Sequence, residues 1–163
     1  MRLTEQQLAD YLADLAELLE RHGVGLDLLE DERLDLDAGP AGSRSFEIVG
    51  FLPDGRRPPL STLTLREQWR ATSDATFERA EYEYELLDHE RGFRRAFHLH
   101  DADYFVRVFL VAVHEHCERP VGSAHCPHFA GEPIRDGYAA AMRLIELWMD
   151  PAVPNCNHLS CLE

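Results

Sequence analysis

Apolar residues recur over the first 22 positions at spacings of three and four: Leu8, Tyr11, Leu12, Leu15, Leu18 and Leu19. One face of an α-helix has that period. Thr4 can cap its free amides, Glu5 suits the positive end of its dipole, and Gly23 follows a last turn that carries Arg21 and His22. The pattern predicts a helix over residues 4–22. Residues 24–43 are less regular. Leu26, Leu28, Leu34 and Leu36 suit two short strands or a further helical turn, and 37–43 reads as a loop.

From residue 45 the period changes to two. SFEIVGFL and LSTLTLREQWRAT flank PDGRRPP and read as two strands about a turn. Leu63, Leu65 and Trp69 share one face, which Glu67 interrupts. TFERAEYEYELL and FRRAFHLH flank DHERG and read as a hairpin, with Gly92 supplying a left-handed turn residue. Residues 102–117 suit a buried strand, from their valines, or a buried helix capped by Asp101. Residues 118–132 form a long loop with no period. A helix is expected over 133–149, opened by Pro133, with the stripe Tyr138, Ala141, Met142, Ile145, Trp148 and Met149. Residues 150–163 read as an irregular tail. The expectation is one domain, residues 1–163, of the α+β class. An antiparallel sheet of four to five strands within 45–117 is flanked by an N-terminal and a C-terminal helix.

Composition agrees with a packed domain: 163 residues with 45% hydrophobic content can bury a core. The net charge of −14 opposes binding to bulk nucleic acid unless a local patch is basic. It makes the acidic N-terminal arm a surface for a basic protein partner, or simply a solvated helix face. The N-terminus is polar, and the longest apolar run, Val108–Val113, is too short to cross a bilayer. A cytoplasmic protein without a membrane partner is expected. In a reducing compartment its cysteines are thiols, buried residues or metal ligands rather than disulfides.

The candidate chemistry is concentrated late in the chain. Residues 97–128 hold six of the nine histidines. On a strand ending at His100, the imidazoles of His98 and His100 share a face. Pairing the apolar sides of the hairpin sets them beside Glu81, Glu83 and Glu85. A register slipped by one residue sets them beside Tyr82 and Tyr84 instead. The glutamate register offers two imidazoles and a carboxylate, Glu83 foremost, for a divalent metal or for general acid–base catalysis. It equally suits a solvated face of cross-strand ion pairs. His114 and His116 form a second H-x-H pair. An unbroken strand from 98 to 114 spans roughly 40–55 Å, so the two pairs read as two sites.

A third grouping joins thiols to imidazoles: Cys117, His125, Cys126 and His128 in the loop, and Cys156, His158 and Cys161 in the tail. Zinc takes tetrahedral sulfur and nitrogen ligands, and an ion can supply folding energy that a loop and a tail lack. The spacing has no doubled C-x2-C, and plain buried or exposed thiols are the alternative. The order of the hairpin EYEYELLDHERGFRRAFHLHD and the later HEH, about residues 76–117, resembles the TumE-type toxins of bacterial toxin–antitoxin pairs. That resemblance implies a small α+β protein acting on RNA, and no catalytic residue is carried over from it. The expectation is a small cytosolic zinc-binding protein. As an enzyme it would be a hydrolase or ribonuclease using His98, His100, His114, His116 and Glu83, on RNA or a small molecule. The alternative is a non-catalytic interaction module with a structural zinc and an acidic docking surface.

Overall fold

The computed structural model describes residues 1–27, 34–53, 61–99, 113–118, 120–121, 127–128 and 133–150. Within them the chain is an antiparallel sheet with both helices packed on one face, an α+β arrangement. The strands are β1 (Arg2–Leu3), β2 (Gly25–Leu26), β3 (Asp37–Ala38), β4 (Arg44–Leu52), β5 (Ser61–Ala71), β6 (Phe77–Asp88), β7 (Phe93–Leu99), β8 (Val113–Glu118) and β9 (Pro127–His128). The helices are α1 (Glu5–Arg21) and α2 (Gly137–Met149). The sheet order is β2-β4-β5-β6-β7-β8-β9, with β1 beside β6 and β3 beside β4. The sheet thus exceeds four to five strands. The surplus is two-residue pairings at its margins, too short to leave a period in the sequence.

Helix α1 forms where the apolar spacing places it. Thr4 closes a capping box: its hydroxyl accepts from the Gln7 amide at 3.3 Å, and the Gln7 side chain accepts from the Thr4 amide at 2.9 Å. Leu8, Tyr11, Leu12, Leu15 and Leu19 are buried against the sheet. Full burial of each leucine contributes about 2 kcal/mol, which fixes the helix on its apolar stripe. The far end of the chain departs from expectation. Helix α2 begins at Gly137, with Asp136 as its cap, and not at Pro133. The reason is that the preceding backbone is already engaged. The Ile134 N–H donates to the Tyr82 hydroxyl at 2.9 Å, and Arg79 donates to the carbonyls of Ile134 and Arg135 at 2.6 and 2.8 Å.

The hairpin register follows the apolar sides. Tyr84 pairs with Phe97, Asp88 with Phe93, and Glu83 with His98. A four-residue turn, His89–Gly92, makes this possible, with Gly92 at φ +65°. Asp88 holds the turn by accepting from the Arg91 amide and from Arg91 Nε, each at 2.7 Å. The slipped register would move Phe93 and Phe97 from the core to the other face.

β5 alternates cleanly: Ser61, Leu63, Leu65, Glu67 and Trp69 are all buried under the helices. Glu67, the interruption, is a buried carboxylate met by four donors. Tyr84 and Tyr11 hydroxyls donate to its Oε1 at 2.5 and 2.8 Å, Trp69 Nε1 donates to Oε2 at 2.9 Å, and Arg79 Nη1 lies 3.4 Å from Oε1. Both phenols also accept. Arg79 donates to Tyr84 at 2.6 Å and the Gly137 amide to Tyr11 at 2.7 Å. A bulge allows Arg79 to take part. The register shifts between Gln68 and Trp69, so β6 changes parity and Arg79 faces the core with Tyr82 and Tyr84.

Candidate metal centre

The face of the sheet away from the helices is laid out in cross-strand rows. Partners in an antiparallel sheet project to the same side. One row runs Glu47, Arg66, Glu83, His98, His114 across β4 to β8. The next runs Val49, Thr64, Glu85, Ala96, His116, and a third runs Phe51, Thr62, Leu87, Arg94, Glu118.

The rows bring together three histidines that the sequence placed in separate sites. His98 stands directly opposite His114, and His116 is one step along β8 on the same face. The ring centroids of the three lie 4.8 to 5.0 Å apart. One ligating atom from each lies within 4.8 Å of the others. The estimate of 40–55 Å between the two H-x-H pairs assumed an unbroken strand. Instead β8 returns antiparallel to β7, with Leu99 opposite Val113, so residues far apart in sequence become neighbours. Ala96 stands opposite His116, and its bare methyl leaves room above β7 for the rings to converge.

Burial and charge set the surroundings. His98 and His114 are buried, and His116 is half-buried. Glu83 Oε1 lies 3.6 Å from His98 Nε2. Arg94 is pinned between two carboxylates, to Glu85 at 2.6 Å and to Glu118 at 2.7 Å, an ion triad that links the second row to the third. A depression of about 180 Å3, lined by Arg66, Glu67, Gln68, Glu81, Tyr82 and Glu83, adjoins the cluster through Glu83, the cross-strand neighbour of His98.

Two nitrogens on one tetrahedral zinc lie about 3.3 Å apart, given Zn–N bonds near 2.0–2.1 Å. Small rotations of the three side chains would draw their nitrogens from within 4.8 Å to that spacing. Imidazole donors suit zinc, and also copper, nickel and iron. The residues present therefore fit a divalent transition-metal ion.

The other sequence-derived candidates fall elsewhere. Cys117, a free thiol, is the partner of Arg95 and lies on the face of β8 opposite to His114 and His116. It does not join this cluster. On its own face Arg95 makes a buried ion pair with Glu115 at 2.5 Å, and burial pushes the Glu115 carboxyl up against the pull of that arginine. The backbone of His128 pairs with Glu115 in β9. His100, His125, Cys126, Cys156, His158 and Cys161 lie outside the described residues, as does most of 102–117.

Sequence reasoning missed two groups of residues. Glu67 was visible as a break in an apolar face, but its partners Tyr11, Tyr84 and Arg79 come from two other elements, α1 and β6. Arg66 and Ala96 carry no signal of their own, since their parts depend on which strands lie beside them. No helix among the described residues is long and apolar enough to cross a membrane. No protein-family model, curated protein or solved structure matches the chain.

Proposed function

We propose that the protein binds one divalent metal ion, zinc by preference, through His98, His114 and His116, and uses it in a hydrolytic reaction on a small cytoplasmic substrate. One observation carries this reading: three imidazoles from two adjacent strands, two of them buried, hold ligating atoms within 4.8 Å of one another. Three protein ligands with a fourth position for water or substrate is the donor set of catalytic zinc, whereas structural zinc takes four. The ion in such a site lowers the pKa of bound water and polarises a carbonyl or phosphoryl oxygen. The chain's own part is to hold three imidazoles on two adjacent strands, with a depression beside Glu83 where a substrate can lie.

The depression favours a small ester or amide over RNA. Its volume of about 180 Å3 is below the roughly 300–1,000 Å3 of sites for drug-sized ligands. On the open face its lining sets the carboxylates of Glu81 and Glu83 against the Arg66 guanidinium, which disfavours a polyphosphate. The closed Cys/His zinc of a purely structural module draws less support, because Cys117 faces away from these histidines.

Purified protein titrated with Zn2+ should take up one equivalent per chain, and His114→Ala should abolish it. A chromogenic carboxylic ester should be cleaved by the loaded protein and spared after chelation or in the variant. Uptake of zinc by His98→Ala, His114→Ala and His116→Ala equal to that of the parent would dispose of the site. RNA cleaved faster than the ester would replace the substrate class.

A further inference from the structure

Glu83 stands between solvent and the buried histidines. Along its row, side-chain exposure is 45% at Glu47, 49% at Arg66, 31% at Glu83 and 9% at His98. Each is the cross-strand partner of the next. Arg66 Nη2 donates to Glu47 Oε1 at 2.9 Å, and Arg66 Nη1 donates to Glu83 Oε2 at 3.3 Å. The second oxygen of Glu83, Oε1, faces His98 Nε2 at 3.6 Å. The carboxylate is therefore divided: one oxygen is held from the solvent side and the other is turned to an imidazole. An imidazole that gives a hydrogen bond from one nitrogen presents the lone pair of the other.

We propose that Glu83 is a positioning residue of the metal centre, accepting a hydrogen bond from His98 Nε2–H so that Nδ1 faces the ion, with Arg66 and Glu47 holding Glu83 in place. The inference rests on the three-histidine reading above. Strand geometry separates this role from that of a fourth ligand. The rings converge between β7 and β8, while Glu83 projects from β6 on the other side of β7. Two strand spacings, about 9–10 Å, lie between β6 and β8, so Glu83 reaches His98 and not the space that His114 and His116 share. Bound to the ion, Glu83 would also have to leave Arg66. As an acceptor it needs only to close a 3.6 Å approach to hydrogen-bond length.

The test compares Glu83→Ala and Glu83→Gln with the parent in two measurements. One is Zn2+ affinity by competition with a chromogenic chelator, paired with the visible spectrum of the Co2+ form. The other is the His98 tautomer in metal-free protein by nitrogen NMR. Glu83→Ala is expected to weaken Zn2+ binding about 10- to 100-fold and to remove the bias toward the Nε2–H tautomer. Glu83→Gln keeps an acceptor oxygen and is expected to restore the tautomer and most of the affinity, with an unchanged Co2+ spectrum. Parent-like affinity and tautomer in Glu83→Ala would overturn the role. So would a Co2+ spectrum showing a lost ligand that Glu83→Gln does not recover, which would make Glu83 a ligand. A parent protein that binds neither Zn2+ nor Co2+ would instead bring down the three-histidine reading, and this role with it. Binding by the parent and by Glu83→Ala alike would remove Glu83 alone.

Discussion

On the helix-covered face of the sheet, Glu67 meets four hydrogen-bond donors from four residues, and each of its phenol partners is itself supplied with a donor. On the other face, three imidazoles meet one another. Both features are polar groups withdrawn from water on strands of one sheet. The difference is what each polar group faces. Glu67 has a saturated set of donors of fixed direction, because Arg79 drives Tyr84 and the Gly137 amide drives Tyr11. Burial raises both phenols far above their ordinary range, which keeps them protonated as donors. That is a structural network: it ties α1, β5, β6 and the start of α2 to one carboxylate. The histidines bring like donor atoms within 4.8 Å of one another, and each ring can offer a lone pair, the arrangement that the proposed cation would complete. A carboxylate ringed by donors of fixed direction holds the fold, and the convergence of like donor atoms at His98, His114 and His116 is what the proposed metal site rests on.

The largest test of this contrast removes the carboxylate. Glu67→Ala would strand two hydroxyls, an indole N–H and the Arg79 guanidinium in the core, at a cost of about 3–5 kcal/mol read from urea unfolding. A loss below about 1 kcal/mol would show that the network is not structural. The pH dependence sharpens it. Burial, the foremost influence, pushes the Glu67 carboxyl up, against its hydrogen bonds and Arg79. The folded protein therefore holds this proton more tightly than the unfolded chain. The resulting stability is fully present below the unfolded value, about 4.3, and is lost as pH rises through the folded one. The stability gap between the parent and Glu67→Gln should shrink as pH rises from about 4 toward neutrality. A gap that widens would mean that the donors outweigh burial.

The histidine face should respond to metal. Zn2+ at a hundredfold excess over its dissociation constant should stabilise the parent by about 2.7 kcal/mol, and His98→Ala, His114→Ala and His116→Ala by almost nothing. Thermal melts with and without Zn2+ measure this, and equal shifts in all four proteins would erase the contrast. Gly137→Ala tests how closely the network is packed. A Cβ there would stand 2.6 Å from the Tyr11 hydroxyl and 2.8 Å from Leu15 Cδ2. The expected loss is about 1–3 kcal/mol, with Zn2+ binding intact, and a neutral substitution would mean that α2 can shift freely. The smallest effect belongs to Arg66→Ala. It removes two half-exposed ion pairs and should cost no more than about 1 kcal/mol of stability. A larger loss would place the exposed ladder among the structural elements.

How legible all this was depended on distance along the chain. The helix stripe at Leu8–Leu19, its Thr4 cap and the alternation of β5 and β6 are local patterns, and the structure repeats them nearly residue for residue. The hairpin register was legible in part, because only one of two registers keeps Tyr84 beside Phe97. The start of α2 was not legible. Pro133 is a good local start, and it loses to hydrogen bonds donated by Arg79 and accepted by Tyr82, more than 50 residues away. The histidine cluster was half legible: the residues stood out by type, and their distribution between two sites was wrong.

The sequence by itself determined which residues alternate, which recur at helical spacing and where chemistry-bearing side chains are dense, because those properties repeat within a few residues. Only the tertiary structure decided that β8 folds back on β7, that Arg79 turns inward at a bulge, and that His98, His114 and His116 share a face. Each of these rests on which strand lies beside which. That choice is made by the burial of the whole sheet against two helices, and no short window of sequence contains it.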